Sequence, residues 1–219
     1  MALEKLVDRI LQTNWSEEQI NKFIGPYNGS FFAYATDHLT RSNAASGGTV
    51  TAILEGMLNR GEIDAAVVCV LEVVHGKVAA NFKLARTHQE LLESQGSKYI
   101  STRFSSQAMD LIRDFEGKLA VVCLPCDAKL LSKLVENSPE LKEKIVCVIT
   151  LFCGHLSSPE LTQLVVDCLR PNPDAVLKDF RYRSGHWRGR LTAEYDEGQV
   201  VSKKFSAFSK YQNLYYYCE

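Results

Sequence analysis

Apolar and polar positions change their spacing several times along the chain, and each change predicts an element. Leu3, Leu6, Val7, Ile10 and Leu11 recur at helical spacing, and Ser16-Glu17-Glu18-Gln19 has the form of a second helix opening. Gly25-Pro26-Tyr27-Asn28-Gly29 breaks the chain after it. Phe31 to Thr36 is strand-like, and the polar stretch Asp37 to Ala45 leads to Ser46-Gly47-Gly48. A helix follows with Val50, Ile53, Leu54, Met57 and Leu58 on one face, ended by Asn59-Arg60-Gly61.

Three apolar runs lack alternation: Ala65 to Leu71, Leu119 to Leu124, and Ile145 to Phe152. Such runs suit strands covered on both faces, so they predict a largely parallel sheet. Amphipathic helices are expected from Ser106 to Phe115, from Ala128 to Val135, and from Ser158-Pro159-Glu160 to the residues before Pro171. Val73-Val74-His75-Gly76-Lys77-Val78 predicts a hairpin. Beyond Pro173 the chain becomes more polar and β-rich, with Val176 to Tyr182, Leu191 to Tyr195, the turn Asp196-Glu197-Gly198-Gln199, and Val200 to Phe205. The expected fold class is α/β, a largely parallel central sheet with flanking helices plus a β-rich C-terminal lobe. The expected divisions are a helical segment over 1–24, an α/β core over 25–172 and a tail over 173–219.

Composition narrows the classes. The 219 residues are 46% apolar, enough for one sizeable core, and the net charge of -1 argues against a general nucleic-acid or anionic-membrane binder. No apolar run approaches the roughly 18 residues of a bilayer span, and the acidic start Met1-Ala2-Leu3-Glu4-Lys5 does not read as a signal peptide, so a cytoplasmic location is expected. Seven cysteines are an odd number, and Cys69, Cys123, Cys147 and Cys153 fall in or beside apolar strand-like runs. Reduced thiols or metal thiolates fit that placement better than a disulfide framework.

Ser46-Gly47-Gly48-Thr49 opens a helix, where backbone N–H groups and the positive dipole end suit a phosphate. A plain helix start with flexible glycines is the rival reading. Cys123-Leu124-Pro125-Cys126 joins a buried strand to a helix, as a thiol–disulfide C-x-x-C would. No strand-bound proline follows to complete that motif, and no second pair of ligands stands at zinc spacing. Cys126 and Cys153 both follow core strands, at the sheet edge where open α/β folds bind ligands; otherwise each is a small buried apolar residue. His75, His88 and His186 read as surface residues. Arg181, Arg183, Arg188, Arg190, Lys203 and Lys204 concentrate positive charge in the tail, as an anion site or a solvated face.

Ala35-Thr36-Asp37, Arg41 to Ala45 leading into Ser46-Gly47-Gly48, and Gly61-Glu62-Ile63-Asp64-Ala65 together resemble the family of coenzyme F-420 hydrogenase/dehydrogenase beta subunits. Gly96-Ser97-Lys98-Tyr99, Leu124-Pro125-Cys126, Leu151-Phe152-Cys153-Gly154-His155, and Phe180-Arg181-Tyr182-Arg183 followed by Trp187 extend the resemblance in order to the end of the chain.

That resemblance implies a flavoprotein, with FAD or FMN, that passes electrons between a deazaflavin, ferredoxin or other redox partner protein and a substrate or partner subunit, as a homo- or hetero-oligomer. It implies that Ser46, Gly47, Gly48 and Thr49 contact the phosphate or ribityl region, and that Ser97, Lys98 and Tyr99 lie near the ring or its phosphates. Lys98 would be the catalytic group, its cation stabilising the negative charge of a reduced flavin. Cys126, Cys153 and Cys218 match family cysteines and are the expected ligands of a [4Fe–4S] cluster, which needs four thiolates; lining the flavin site is the alternative for Cys126 and Cys153. Cys123 stands where the family has glycine, and Gly154-His155 reverses the family's order. The sequence ends at Cys218-Glu219, where a cysteine-rich C-x-x-C region is expected to begin. A non-catalytic docking module of a larger redox complex and a C-x-x-C thiol–disulfide protein are the rival functions.

Overall fold

A computed structural model describes residues 16–154, 156–185, 189–209 and 216–217. The expected helix over Leu3 to Leu11, and His155, His186, Trp187, Arg188 and Cys218, lie outside the described residues. Contacts divide the chain into two units, residues 1–33 and residues 34–219. In the first unit, helix α1 (Glu17–Ile24) begins at a capping box: Ser16 Oγ accepts the Gln19 N–H at 3.1 Å, and Gln19 returns the bond to the Ser16 N–H.

The stretch that follows α1 departs from the expected pattern. Phe31 to Thr36 forms no strand; the Ala35 N–H instead donates to the Gly47 carbonyl at 2.7 Å. Two helices follow, α2 (His38–Asn43) and α3 (Thr49–Asn59). Strands β1 (Ala65–Val74) and β2 (Lys77–Ala85) form the expected hairpin about His75-Gly76. Then come α4 (His88–Glu93), a π-helical turn over Phe104–Ala108 running into α5 (Met109–Asp114), β3 (Leu119–Cys123), α6 (Pro125–Glu136), α7 (Pro139–Lys144) and β4 (Ile145–Thr150).

The central sheet has the order β2-β1-β3-β4, with β1, β3 and β4 parallel and β2 antiparallel at one edge. The unalternating runs in β1 and β3 are explained by a core on each side. Ala65, Val67, Leu119 and Val121 pack against Phe104, Met109, Ile112 and Leu131. Ala66, Val68 and Ala120 turn the other way, against Leu54, Met57, Ile63 and Leu91. Burying one such aliphatic side chain contributes about 1.5–3 kcal/mol, so both layers are needed to hold the sheet.

β4 departs from the expectation of burial on both faces. It is an edge strand, and Val146, Val148 and Thr150 on one face are exposed while Ile145, Cys147 and Ile149 are half-buried.

The C-terminal part is β-rich, as expected. After the short β5 (Leu156–Ser157) and α8 (Pro159–Leu169), β6 (Leu177–Ser184), β7 (Arg190–Tyr195) and β8 (Val200–Lys204) form an antiparallel sheet in the order β6-β7-β8. Leu161, Val166 and Leu169 of α8 pack on Phe180, Tyr182, Leu191 and Tyr195. The Tyr195 hydroxyl donates to the Val166 carbonyl at 2.9 Å. Helix α9 (Ser206–Ser209) follows, and β9 (Tyr216–Tyr217) pairs with β5. No described helix is long and apolar enough to cross a membrane.

Candidate functional site

Helix α3 begins at Gly48, which brings no capping side chain and has φ of +73°. A Cβ there would stand 2.9 Å from the Thr40 carbonyl oxygen and 3.2 Å from Ala35 Cβ. Glycine is therefore required by close approach to the chain's own backbone as well as by the left-handed conformation. Thr40 is fixed in turn by Asp37, whose carboxylate accepts the Thr40 N–H at 2.7 Å, a bond that holds the Asp37 carboxyl below its ordinary range. Ser46 is exposed beside this turn, and Gly47 and Thr49 are half-buried.

The loop holding Ser97 and Lys98 is stitched to the same place. Gln95 Nε2 donates to the Thr40 carbonyl at 2.9 Å and to Thr51 Oγ1, in the first turn of α3, at 3.0 Å. Thr40 is fully buried, and its hydroxyl and Gln95 Oε1 are buried without a hydrogen-bond partner among the described residues. Orphaned polar atoms of this kind are rare in proteins and fit a bound group that brings polar atoms of its own.

The Lys98 ammonium folds back onto its own loop, donating to the carbonyls of Ser94, Gln95 (3.3 Å) and Gly96 (3.0 Å). Burial pushes its pKa down to about 8, and Cys69 partly opposes the fall. Cys69, half-buried in β1, is itself pushed up to about 11 by burial, with Lys98 pulling it down and Asp127 pushing it up. Asp127 lies in the first turn of α6, where its carboxylate accepts the Leu124 N–H at 3.3 Å and burial raises its pKa. Lys98, Cys69 and Asp127 therefore act on one electrostatic neighbourhood around the parallel sheet.

Tyr99, next in sequence to Lys98, is committed elsewhere. Its ring lies 4.9 Å from Phe205, 5.6 Å from Tyr182 and 6.1 Å from Phe208, inside the aromatic core of the C-terminal part.

Cys126 is exposed in the first turn of α6, and Cys153 is exposed just beyond β4. β3 and β4 are parallel neighbours with Cys123 opposite Thr150, so both cysteines follow the carboxyl ends of adjacent strands. Among the described residues no group of three or more His, Cys, Asp or Glu could hold a metal ion. Cys123 is buried and pushed up to about 12 by burial, by Asp127 and by Cys126. That is the reverse of the acidic thiol a C-x-x-C exchange uses. In the tail, Arg181 pairs with Asp179 at 3.2 Å and Arg190 Nε donates to Ser202 Oγ at 2.5 Å.

Sequence reasoning missed Thr40, Thr51, Gln95 and Asp127, and named Cys69 only as a thiol in an apolar run. Asp127 alone had a local signal, as an acid at the third position of a helix opened by proline.

Similarity to other proteins follows this framework. Residues 30–108 match the N-terminal family model of the coenzyme F420 hydrogenase/dehydrogenase beta subunit, and residues 116–218 match its C-terminal counterpart. A subunit of the F(420)H(2) dehydrogenase of Methanosarcina mazei is 26% identical over 186 residues, covering 82% of this chain and 50% of that protein. An uncharacterised protein of Methanocaldococcus jannaschii is 32% identical over 117 residues, covering 51% of this chain and 32% of that one. The chain thus spans half or less of the length of these curated relatives. A chain in the structure of the F420-reducing [NiFe] hydrogenase complex from Methanosarcina barkeri has a similar fold, with a TM-score of 0.58 at 20% identity, covering 84% of this chain and 61% of that one. The chain belongs to the family of coenzyme F420 hydrogenase/dehydrogenase beta subunits.

Proposed function

We propose that this chain is the flavin-holding, electron-transferring part of a redox enzyme, working with a partner protein and with a deazaflavin or ferredoxin as donor or acceptor. The observation that carries the reading is the Lys98 ammonium, held by main-chain carbonyls in a loop that Gln95 ties to the first turn of α3. The amide end of α3, with Ser46, Gly47, Gly48 and Thr49, would take the phosphate of FAD or FMN. Lys98, with Ser97 beside it, would face negative charge on the ring, and the walls of the sheet would keep water away. When bound, the flavin supplies hydride and single-electron chemistry.

A [4Fe–4S] cluster does not fit the described residues. Four thiolates are needed, and the described residues offer only Cys126 and Cys153 of the expected set. The test is an absorption spectrum of anaerobically purified protein, followed by titration with FAD and with FMN. Yellow protein, or quenching of flavin fluorescence at micromolar concentrations, supports the reading; no binding of either flavin overturns it. A docking role in a larger redox complex is the second reading, since the described residues do not bring together a cluster's ligand set. Bound flavin that neither reduced F420 nor reduced ferredoxin can reduce would favour it.

A further inference from the structure

Gln95 is the one described residue that bonds both the Lys98 ammonium and the first turn of α3. Its main-chain carbonyl accepts Lys98 Nζ at 3.3 Å. Its side-chain amide reaches across 44 residues of sequence to Thr51 Oγ1 at 3.0 Å, and across 55 to the Thr40 carbonyl at 2.9 Å. Thr40 contacts the glycine turn directly, since its carbonyl and methyl are two of the nearest atoms to a Cβ placed on Gly48. The cation and the helix opening are therefore separated by one side chain and its own backbone.

We propose that Gln95 is a positioning residue that fixes Lys98 Nζ relative to the glycine turn and the amide end of α3, so that one anionic ligand meets both. The ligand half of this inference rests on the flavin reading; the positioning of Lys98 does not. Both donors of the Gln95 amide are engaged at a site where Thr40 is fully buried. Removing them leaves the Thr40 carbonyl and the Thr51 hydroxyl without those bonds and frees the Ser94 to Lys98 loop to turn toward water. Around Lys98 the electrostatic partners are Cys69 on β1 and, acting through Cys69, Asp127 on α6.

The experiment compares the full chain with Gln95→Met, which keeps the side-chain length and removes both donors, and with Thr51→Val, which removes one acceptor. Tyr182→Phe serves as the control for a stability defect that leaves both Gln95 bonds in place, since it removes only the hydroxyl bonded to Thr162 and keeps the ring against Tyr99. The decisive readout is the pH midpoint for acylation of Lys98 in the flavin-free protein, followed by mass spectrometry of the peptide. In the wild type it should lie near 8. In Gln95→Met it should rise by roughly one unit or more toward the solvated lysine value, in Thr51→Val by less, and in Tyr182→Phe not at all.

Affinity for FAD should fall on the order of tenfold in Gln95→Met, as two hydrogen bonds of ordinary strength are lost. An unmoved Lys98 midpoint in folded Gln95→Met overturns the inference, even if FAD affinity changes. If Gln95→Met does not fold, the Thr51→Val midpoint decides in the same way. Wild-type protein that binds neither FAD nor FMN removes the flavin reading and leaves the acylation result to judge the positioning role.

Discussion

The hydroxyls of Thr162 and Tyr182 share a hydrogen bond inside the C-terminal core, joining α8 to β6 at a point where both residues are fully buried. Burial pushes the Tyr182 phenol well above its usual range, so it remains protonated. Thr162→Val keeps the shape and strands the phenol, which should lower stability by about 1–3 kcal/mol. Urea unfolding measures this directly. A loss below about 0.5 kcal/mol would show that the phenol finds another partner.

Gly48→Ala should be costly for two reasons that act together, the positive φ and the approach of Thr40 within 2.9 Å. Strain of this kind is worth about 1–3 kcal/mol. The melting temperature should fall, and under the proposed function flavin affinity should fall with it. A variant with wild-type melting behaviour would mean that the turn accepts another backbone conformation.

Lys98 should leave a signature in the pH dependence of stability. Its pKa is about 8 when folded against 10.5 for the ordinary group, so between those values the unfolded chain binds more protons and this residue makes stability rise with pH. Cys69 runs the other way, since its folded value of about 11 exceeds 9.0, and its contribution is lost as pH rises through 11. In a Cys69→Ala background, the unfolding free energy of Lys98→Met minus that of its parent should therefore decline from pH 8 to 10.5. A flat difference across that window would contradict a buried, partly discharged lysine.

Thiol labelling should separate the cysteines by accessibility. Cys126 and Cys153 are exposed, whereas Cys123 is 4% exposed and, like Cys69, is held protonated by burial. Brief treatment of native protein with iodoacetamide near neutral pH should modify Cys126 and Cys153 well before Cys123 and Cys69. Early modification of Cys123 would restore the thiol–disulfide reading.

The sheet was legible because its strands advertise themselves. Ala65 to Val68 is apolar at every position, as a strand between two cores must be. The same signal misled at β4: Ile145, Val146, Cys147, Val148 and Ile149 are all apolar, so nothing in their order reveals that one face is exposed on an edge strand. Phe31 to Thr36 had strand composition but joined no sheet, and strand pairing is a property of the whole fold. Helices α2, α4 and α7 span six residues each, too short for a 3.6-residue period to show, although the Thr87 and Glu90 capping box marks α4. At the site, the glycine turn and Lys98 carried motifs. Gln95 did not, because its bonds reach partners 44 and 55 residues away and a polar residue in a loop has no local signature.

The Lys98 ammonium is solvated by peptide oxygens, and among the described residues no carboxylate pairs with it. A lysine matched to an aspartate would have to surrender its counter-ion before it could serve an incoming anion. This one is held by neutral carbonyls, so added negative charge nearby has no resident counter-ion to displace.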